Sequence, residues 1–134
     1  MPLVLVIALL QTVVPQIRSV DKGSQTETLV ARQVTVRDRD EWATFWRSHA
    51  ASRPQPTVDF STEMVVGVFL GTRPTAGFAV EIVGYRDVGA DVVVEYRETI
   101  PPRGAISAQV LTSPYHLVAI PRRSGTVTFE KLKT

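Results

Sequence analysis

Residues 64–70, Met-Val-Val-Gly-Val-Phe-Leu, are apolar without interruption and constrain the fold more than any other stretch of this chain. A short apolar run rich in valine is typical of a strand buried on both faces. Such a strand needs a layer of structure packed against each side. Gly67, in the middle of the run, indicates a close approach by another backbone or by the tryptophans of the helix described next.

One segment has the spacing of an amphipathic helix. Asp38 is placed to cap its first backbone N–H groups, and Glu41 follows three residues later in the capping-box position. Pro54 keeps the preceding residue out of helical geometry, so we expect the helix to end near residue 51. We expect His49 at the boundary of the core. The stripe that follows the cap at helical spacing consists of Trp42, Phe45, Trp46 and His49.

The remaining periodic segments alternate between apolar and polar residues as strands do. They are residues 17–21, 32–37, 78–83, 92–98, 126–130 and a long segment, 109–120, interrupted at Pro114. Mostly short turns join them, which favours antiparallel pairing. The sequence therefore predicts an α+β fold of about seven strands. These would form a mostly antiparallel sandwich or half-open barrel covered by the one helix, with residues 16–134 as a single domain of ordinary size.

The first residues have a different character. Residues 3–10 form an apolar run too short to span a bilayer but of the length of a signal-peptide core. No lysine or arginine precedes the run, so an N-terminal core strand is the alternative. We expect residues 1–15 to be a hydrophobic leader and the protein to be exported, periplasmic or secreted, without stable membrane insertion after leader removal.

Composition and motifs exclude several kinds of site. The chain has no cysteine, which excludes disulfides, thiolate metal ligands and cysteine nucleophiles. Its net charge is only +2 and the basic residues are scattered, which argues against a nucleic-acid partner. Neither a metal-ligand spacing around His49 and His116 nor a nucleophile elbow nor a phosphate loop is present. We therefore expect no cofactor, no metal and no catalysis.

Glu81 and Glu95 lie on neighbouring strands of a predicted hairpin and are candidates for a carboxylate pair. Two facing carboxylates could perform the acid–base chemistry of a glycoside hydrolase. The alternative is a solvated face on which Glu81, Glu95 and Arg97 screen one another, and the sequence favours this second interpretation.

Proline- and glycine-rich loops are the remaining candidates for function. Ordered loops of this kind lose little entropy on binding, which suits recognition of a protein partner. The alternative is that these residues only make turns. The candidate protein-binding residues lie in the loops 71–77 and 99–104 and in a bulge at 113–115; they are Arg73, Pro74, Thr75, Ala76, Pro101, Pro102, Arg103, Pro114 and Tyr115.

Several segments together resemble a known family. They are the tryptophan helix (residues 41–46), the apolar strand (64–71), Gly-Phe-Ala-Val-Glu-Ile at 77–82 and Gln-Val-Leu-Thr-Ser-Pro-Tyr-His-Leu-Val-Ala-Ile-Pro at 109–121. Over roughly residues 30–130 the chain resembles the PrcB C-terminal domain family, named after a subunit of a bacterial protease complex. The resemblance implies an exported, non-catalytic accessory protein that binds and stabilises a protease complex.

A second resemblance involves one loop. Residues 73–78, Arg-Pro-Thr-Ala-Gly-Phe, are similar to the Asn-Pro-Thr-Thr-Gly-aromatic loop of chagasin-type cysteine-protease inhibitors. The sequence departs from that motif at Arg73 and Ala76. This resemblance implies, as the alternative function, a protease inhibitor that acts through residues 71–78.

Overall fold

The computed structural model of the protein describes residues 16–133, so the predicted leader, residues 1–15, lies outside the described residues. Within residues 16–133 the chain forms seven strands and one helix. In chain order these are β1 (Arg18–Gly23), β2 (Arg32–Val36), α1 (Arg39–Ala50), β3 (Glu63–Phe69), β4 (Ala79–Val88), β5 (Asp91–Thr99), β6 (Tyr115–Pro121) and β7 (Val127–Lys131).

The strands form two sheets rather than a closed barrel. The first sheet has the order β1-β6-β3-β2 and the second the order β4-β5-β7. All neighbours are antiparallel except β5 and β7, which run parallel from Val92 opposite Val127 to Tyr96 opposite Lys131. Short turns favour antiparallel pairing only between consecutive strands of one sheet. Strand β7 is different, because the chain passes from the first sheet to the second between β6 and β7. The predicted α+β sandwich with one covering helix is confirmed.

The sheets and the helix stack in three layers, and β3 lies in the middle layer. One face of β3, with Met64, Val66 and Val68, packs against the second sheet. The other face, with Val65 and Phe69, packs against α1. The prediction of a strand buried on both faces is confirmed. A Cβ added at Gly67 would overlap a Leu117 methyl group, so the close approach comes from the neighbouring strand rather than from the tryptophans.

Helix α1 begins and ends where the sequence indicates. The Asp38 side chain accepts a hydrogen bond from the Glu41 N–H at 2.8 Å, and the Glu41 carboxylate accepts one from the Arg37 N–H at 3.2 Å. The Asp38 cap is therefore present, but the Glu41 side chain accepts from the N–H of Arg37, the residue before Asp38, instead of from that of Asp38 itself. Among the described residues no helix is long and apolar enough to cross a membrane. The helix residues buried against the first sheet are Trp42, Phe45, Trp46, His49 and Ala50.

The long strand predicted for residues 109–120 is wrong in its first half. Strand β6 begins only at Tyr115, and residues 109–114 form a loop with a single bridge between Thr112 and Arg73. Pro114 has no N–H to donate to the sheet, although its carbonyl still accepts a hydrogen bond from the Leu70 N–H at 3.0 Å. The first part of this loop, residues 109–111, is therefore exposed, whereas residues 112–114 are buried.

Candidate protein-binding site

Three loops meet at one end of the sandwich, where β1, β3 and β5 end and β2, β4 and β6 begin. They are residues 24–31, 71–78 and 100–112, and together we call them the loop face. Strand pairing places these loops at the same end, since Gly23 at the end of β1 and Phe69 at the end of β3 both lie opposite Tyr115 at the start of β6.

Hydrogen bonds join the three loops to one another. The Arg73 and Thr112 backbones exchange two hydrogen bonds, of 2.7 and 3.0 Å. The Thr112 hydroxyl donates to the Thr75 carbonyl at 2.9 Å, and the Gln25 side-chain amide donates to the Leu111 carbonyl at 3.2 Å. The loop face is thus a connected surface held by its own backbone.

Gly77 has a structural role that explains its position before β4. Its φ is +96°, a conformation that costs side-chain-bearing residues free energy. A Cβ added there would lie 2.8 Å from Cγ of Pro101. Gly77 therefore permits both the tight entry into β4 and the contact with the neighbouring loop.

Arg73, predicted to contact a partner, uses its side chain inside the protein. Its Nε and Nη2 donate to Oε1 of Glu98 at 3.2 and 3.0 Å, and its Nη1 donates to the Leu70 carbonyl at 2.9 Å. Burial would raise the pKa of Glu98, but hydrogen bonds from Lys131 and Arg73 outweigh it and hold that pKa below its usual value. The Arg73 charge therefore neutralises a buried carboxylate.

The other predicted binding residues differ in exposure. Pro114 and Tyr115 are buried, and Tyr115 is only 3% exposed. The expectation of a presented bulge at 113–115 is therefore corrected: these side chains belong to the core. The remaining candidates lie in the loop face, with Thr75, Ala76 and Pro101 half-buried and Pro74, Pro102 and Arg103 exposed.

The most prominent feature of the loop face was missed in the sequence. Eight large apolar side chains are exposed among residues 16–133, and six of them lie in the loop face. In the sequence these positions are marked only by apolar residues that lie between turn-forming residues. Residues 109–111 were predicted to belong to a strand instead. The six are Leu29, Val30, Ile100, Ile106, Val110 and Leu111.

A second polar cluster lies beneath the 24–31 loop, around His49. Its Nε2 lies 2.8 Å from Oδ2 of Asp21 and its Nδ1 lies 2.6 Å from the Thr26 hydroxyl. Arg53 donates two hydrogen bonds to the same carboxylate, of 2.8 and 3.1 Å, and a third to the Tyr115 hydroxyl at 3.1 Å. The cluster ties α1 to β1 and β6.

The protonation of the His49 cluster follows from its burial. Burial lowers the pKa of His49, and the hydrogen bond to Asp21 offsets only part of that effect. The ring is therefore neutral at pH 7, donating from Nε2 to Asp21 and accepting at Nδ1 from Thr26. The order threonine, histidine, aspartate resembles a catalytic triad. However, His49 is fully buried among aromatic rings, so this geometry supports a structural role.

His116 links the two sheets. Its Nδ1 accepts from the Ile82 N–H of β4 at 2.9 Å, which leaves Nε2–H to donate to the Ser19 hydroxyl of β1 at 2.9 Å. Burial lowers the pKa of His116 to about 4. This histidine is therefore neutral and holds one tautomer.

The two candidate acid–base carboxylates, Glu81 and Glu95, are not opposite each other. Glu81 lies opposite Arg97, and Glu95 lies opposite Gly84. Each forms its own surface ion pair, Glu81 with Lys22 at 3.8 Å and Glu95 with Arg86 at 3.4 Å. Both carboxylates therefore lie at the surface, as the favoured interpretation has it, but their ion-pair partners are Lys22 and Arg86 rather than Arg97. In residues 16–133 no group of three or more metal-ligating side chains is placed to hold an ion.

Comparison with known proteins gives one match. The model of the family described as PrcB C-terminal matches residues 64–121, from β3 to the end of β6. These residues include two of the three loops of the loop face. The resemblance derived from the sequence is thereby confirmed. No curated protein and no solved structure matches the chain.

Proposed function

We propose, from the match of residues 64–121 to the PrcB C-terminal family, that the protein is a non-catalytic accessory domain of an exported protease complex. In this proposal it binds its protein partner through the loop face. The observation that carries the proposal is the concentration of exposed apolar side chains, Leu29 and Ile106 among them, on loops that contact one another.

The physical basis of the proposed binding is that the loop face is both apolar and ordered before a partner arrives. Clustered exposed apolar residues mark interaction sites, because association removes them from water. The exchange of hydrogen bonds between Arg73 and Thr112 orders the loops before binding, so the entropic cost of association is reduced. The exposed Arg103 adds a polar group at the edge of this surface.

Export is part of the proposal. Residues 3–10 have the length and apolarity of a signal-peptide core, and the family's named subunit belongs to a protease complex. Fractionation of the native host tests this directly: recovery in the envelope or medium supports export, and recovery solely with cytosolic markers contradicts it.

The binding role is tested with the full chain as bait in affinity capture from envelope and secreted fractions. The variant Ile106→Ser/Leu111→Ser should lose the captured protease. The matched control is Val88→Ser, which changes an exposed apolar residue on the β4–β5 hairpin at the opposite end of the sandwich. Equal capture by all three proteins, or capture of no protease, would overturn the proposal.

One observation favours a second candidate, a chagasin-like inhibitor. The 71–78 loop, with Pro74 exposed, lies beside two other loops at one end of the molecule, as an inserting inhibitor needs. Kinetics on the captured protease separate the two functions. An accessory domain leaves the initial rate unchanged and lengthens the half-life of the activity, whereas an inhibitor reduces the initial rate in proportion to its concentration.

A further inference from the structure

The outer edge of β2 is one of two regular sheet edges and borders a groove. Among the described residues the edge strands are β1, β2, β4 and β7. Strand β1 is irregular between Ser19 and Asp21, and β4 is irregular between Ile82 and Gly84. Such bulges discourage further pairing. Strand β2 pairs regularly with β3 at all five positions from Arg32 to Val36, and β7 likewise pairs regularly with β5.

A groove of about 760 Å³ runs along this regular edge, with β2 as one wall and α1 as the other. Alternate residues of an edge strand direct their N–H and C=O groups away from the sheet. Within residues 16–133 no strand pairs with β2 on the groove side. The residues of α1 that line the groove are Asp40, Glu41, Thr44, Phe45 and Ser48.

The groove has opposite charges at its two ends. Arg32 stands where β2 begins, with its guanidinium 5.8 Å from the centre of the Phe45 ring. Asp38, Asp40 and Glu41 stand where β2 ends and α1 begins. A strand added antiparallel to β2 would place its N-terminal end beside the three carboxylates and its C-terminal end beside Arg32.

We propose that the β2 edge binds an extended segment of a partner protein by antiparallel strand addition. The segment is basic at its N-terminal end and acidic at its C-terminal end. Backbone hydrogen bonds to β2 supply affinity, and the two charged ends set direction and register. This site shares no residue with the loop face, so it is a second surface that can hold the chain of a partner.

The test uses the full-length protein and an octapeptide of alternating threonine and valine, with two lysines at its N-terminal end and one glutamate at its C-terminal end. Binding is measured by NMR titration, and backbone amide exchange is followed at residues 32–36. We expect saturable binding with slower exchange at β2 amides. The same peptide with proline at its two central positions should not bind, because proline removes the donors that pair with β2.

Two variants of α1 locate the site. Thr44→Trp fills the groove from an exposed position and should abolish binding, whereas Arg47→Trp adds the same bulk at an exposed position that does not line the groove and should preserve it. Asp40→Asn should weaken binding by about fivefold at low salt, the effect of one exposed charge pair.

Three results would overturn the proposal. The first is no slowing of exchange at residues 32–36 at millimolar peptide. The second is binding that Thr44→Trp leaves unchanged. The third is self-association of the protein, lost in Thr44→Trp, without any effect of the peptide, which would assign the edge to a second copy of this chain. The variant Ile106→Ser/Leu111→Ser should bind the peptide normally, so failure of the loop-face proposal and failure of this one are distinguishable.

Discussion

Arg73 and Glu98 join the β3–β4 loop to the end of β5 through an ion pair in which Nη2 of Arg73 lies 3.0 Å from Oε1 of Glu98. The Glu98 side chain is only 8% exposed, and its other oxygen lies 2.9 Å from Nζ of Lys131. One carboxylate therefore connects a loop of the loop face, the end of β5 and the last strand, β7.

Removing Arg73 should destabilise the protein. In Arg73→Ala the Glu98 carboxylate keeps only Lys131, and a buried charge that loses hydrogen bonds costs about 2 kcal/mol of unfolding free energy. Urea denaturation measures the change. Arg103→Ala, an exposed arginine of the same surface, is the control and should stay within about 0.5 kcal/mol of the parent. Equal stability of both variants would contradict the structural role of Arg73.

Gly77 should tolerate alanine less well than Gly89 does. Both have positive φ, +96° and +63°, so alanine at either is strained by about 1–2 kcal/mol. Only at Gly77 does the added Cβ meet another group, Pro101, since nothing lies within 4 Å at Gly89. Thermal and urea unfolding of Gly77→Ala and Gly89→Ala should therefore show the larger loss at Gly77. The reverse order would contradict the packing described for the loop face.

Stability should fall as the pH is lowered because of His116. Its pKa is about 4 in the folded protein and near 6.5 in the unfolded chain. Between these values the unfolded state binds a proton that the folded state does not, so the unfolding free energy decreases as pH falls through this window. The total decrease in unfolding free energy attributable to His116 is roughly 3 kcal/mol.

The control for the pH experiment is His116→Gln, which keeps a side-chain oxygen that can accept from the Ile82 N–H. It removes the titration at this position but retains that of His49, whose pKa burial also lowers. Unfolding free energies between pH 7 and pH 4.5 should therefore depend less steeply on pH in the variant. Parallel pH profiles would show that His116 does not supply the effect.

The N-cap of α1 should contribute measurably. Asp38→Ala removes the acceptor of the Glu41 N–H, and loss of such a cap costs about 1 kcal/mol. Asp40→Ala removes a neighbouring carboxylate that lies in the first turn but does not cap, and should cost about 0.3 kcal/mol through the helix dipole alone. Circular dichroism during urea denaturation compares the two, and a larger effect at Asp40 would contradict the assignment of the cap.

Local sequence patterns predicted the elements that are determined by residues close to one another in the chain. The cap at Asp38, the aromatic stripe of α1 and the end of the helix before Pro54 all depend on residues within a few turns of one another. The two-faced burial of β3 follows from an apolar run that has no polar face to expose.

The same local reasoning was misleading at residues 109–114. Their apolar residues predicted a strand, but Thr112 pairs with Arg73, so this segment leaves the sheet and exposes Val110 and Leu111. The alternation shows which side chains are apolar, but it does not show with which backbone segment they will pair. For the same reason, Tyr115 was predicted to lie in a bulge exposed to a partner, whereas its side chain is buried.

The sequence by itself determined the class of fold, the helix, the central strand and the similarity of residues 64–121 to the PrcB C-terminal family, because these depend on periodicity and on motifs contiguous in the chain. Tertiary structure alone decided the parallel pairing of β7 with β5, the pairing of Arg73 with Glu98 and the gathering of Leu29 and Ile106 at one end. These contacts join residues far apart in the chain, and their free energy is gained only when distant segments pack together. No local pattern encodes them.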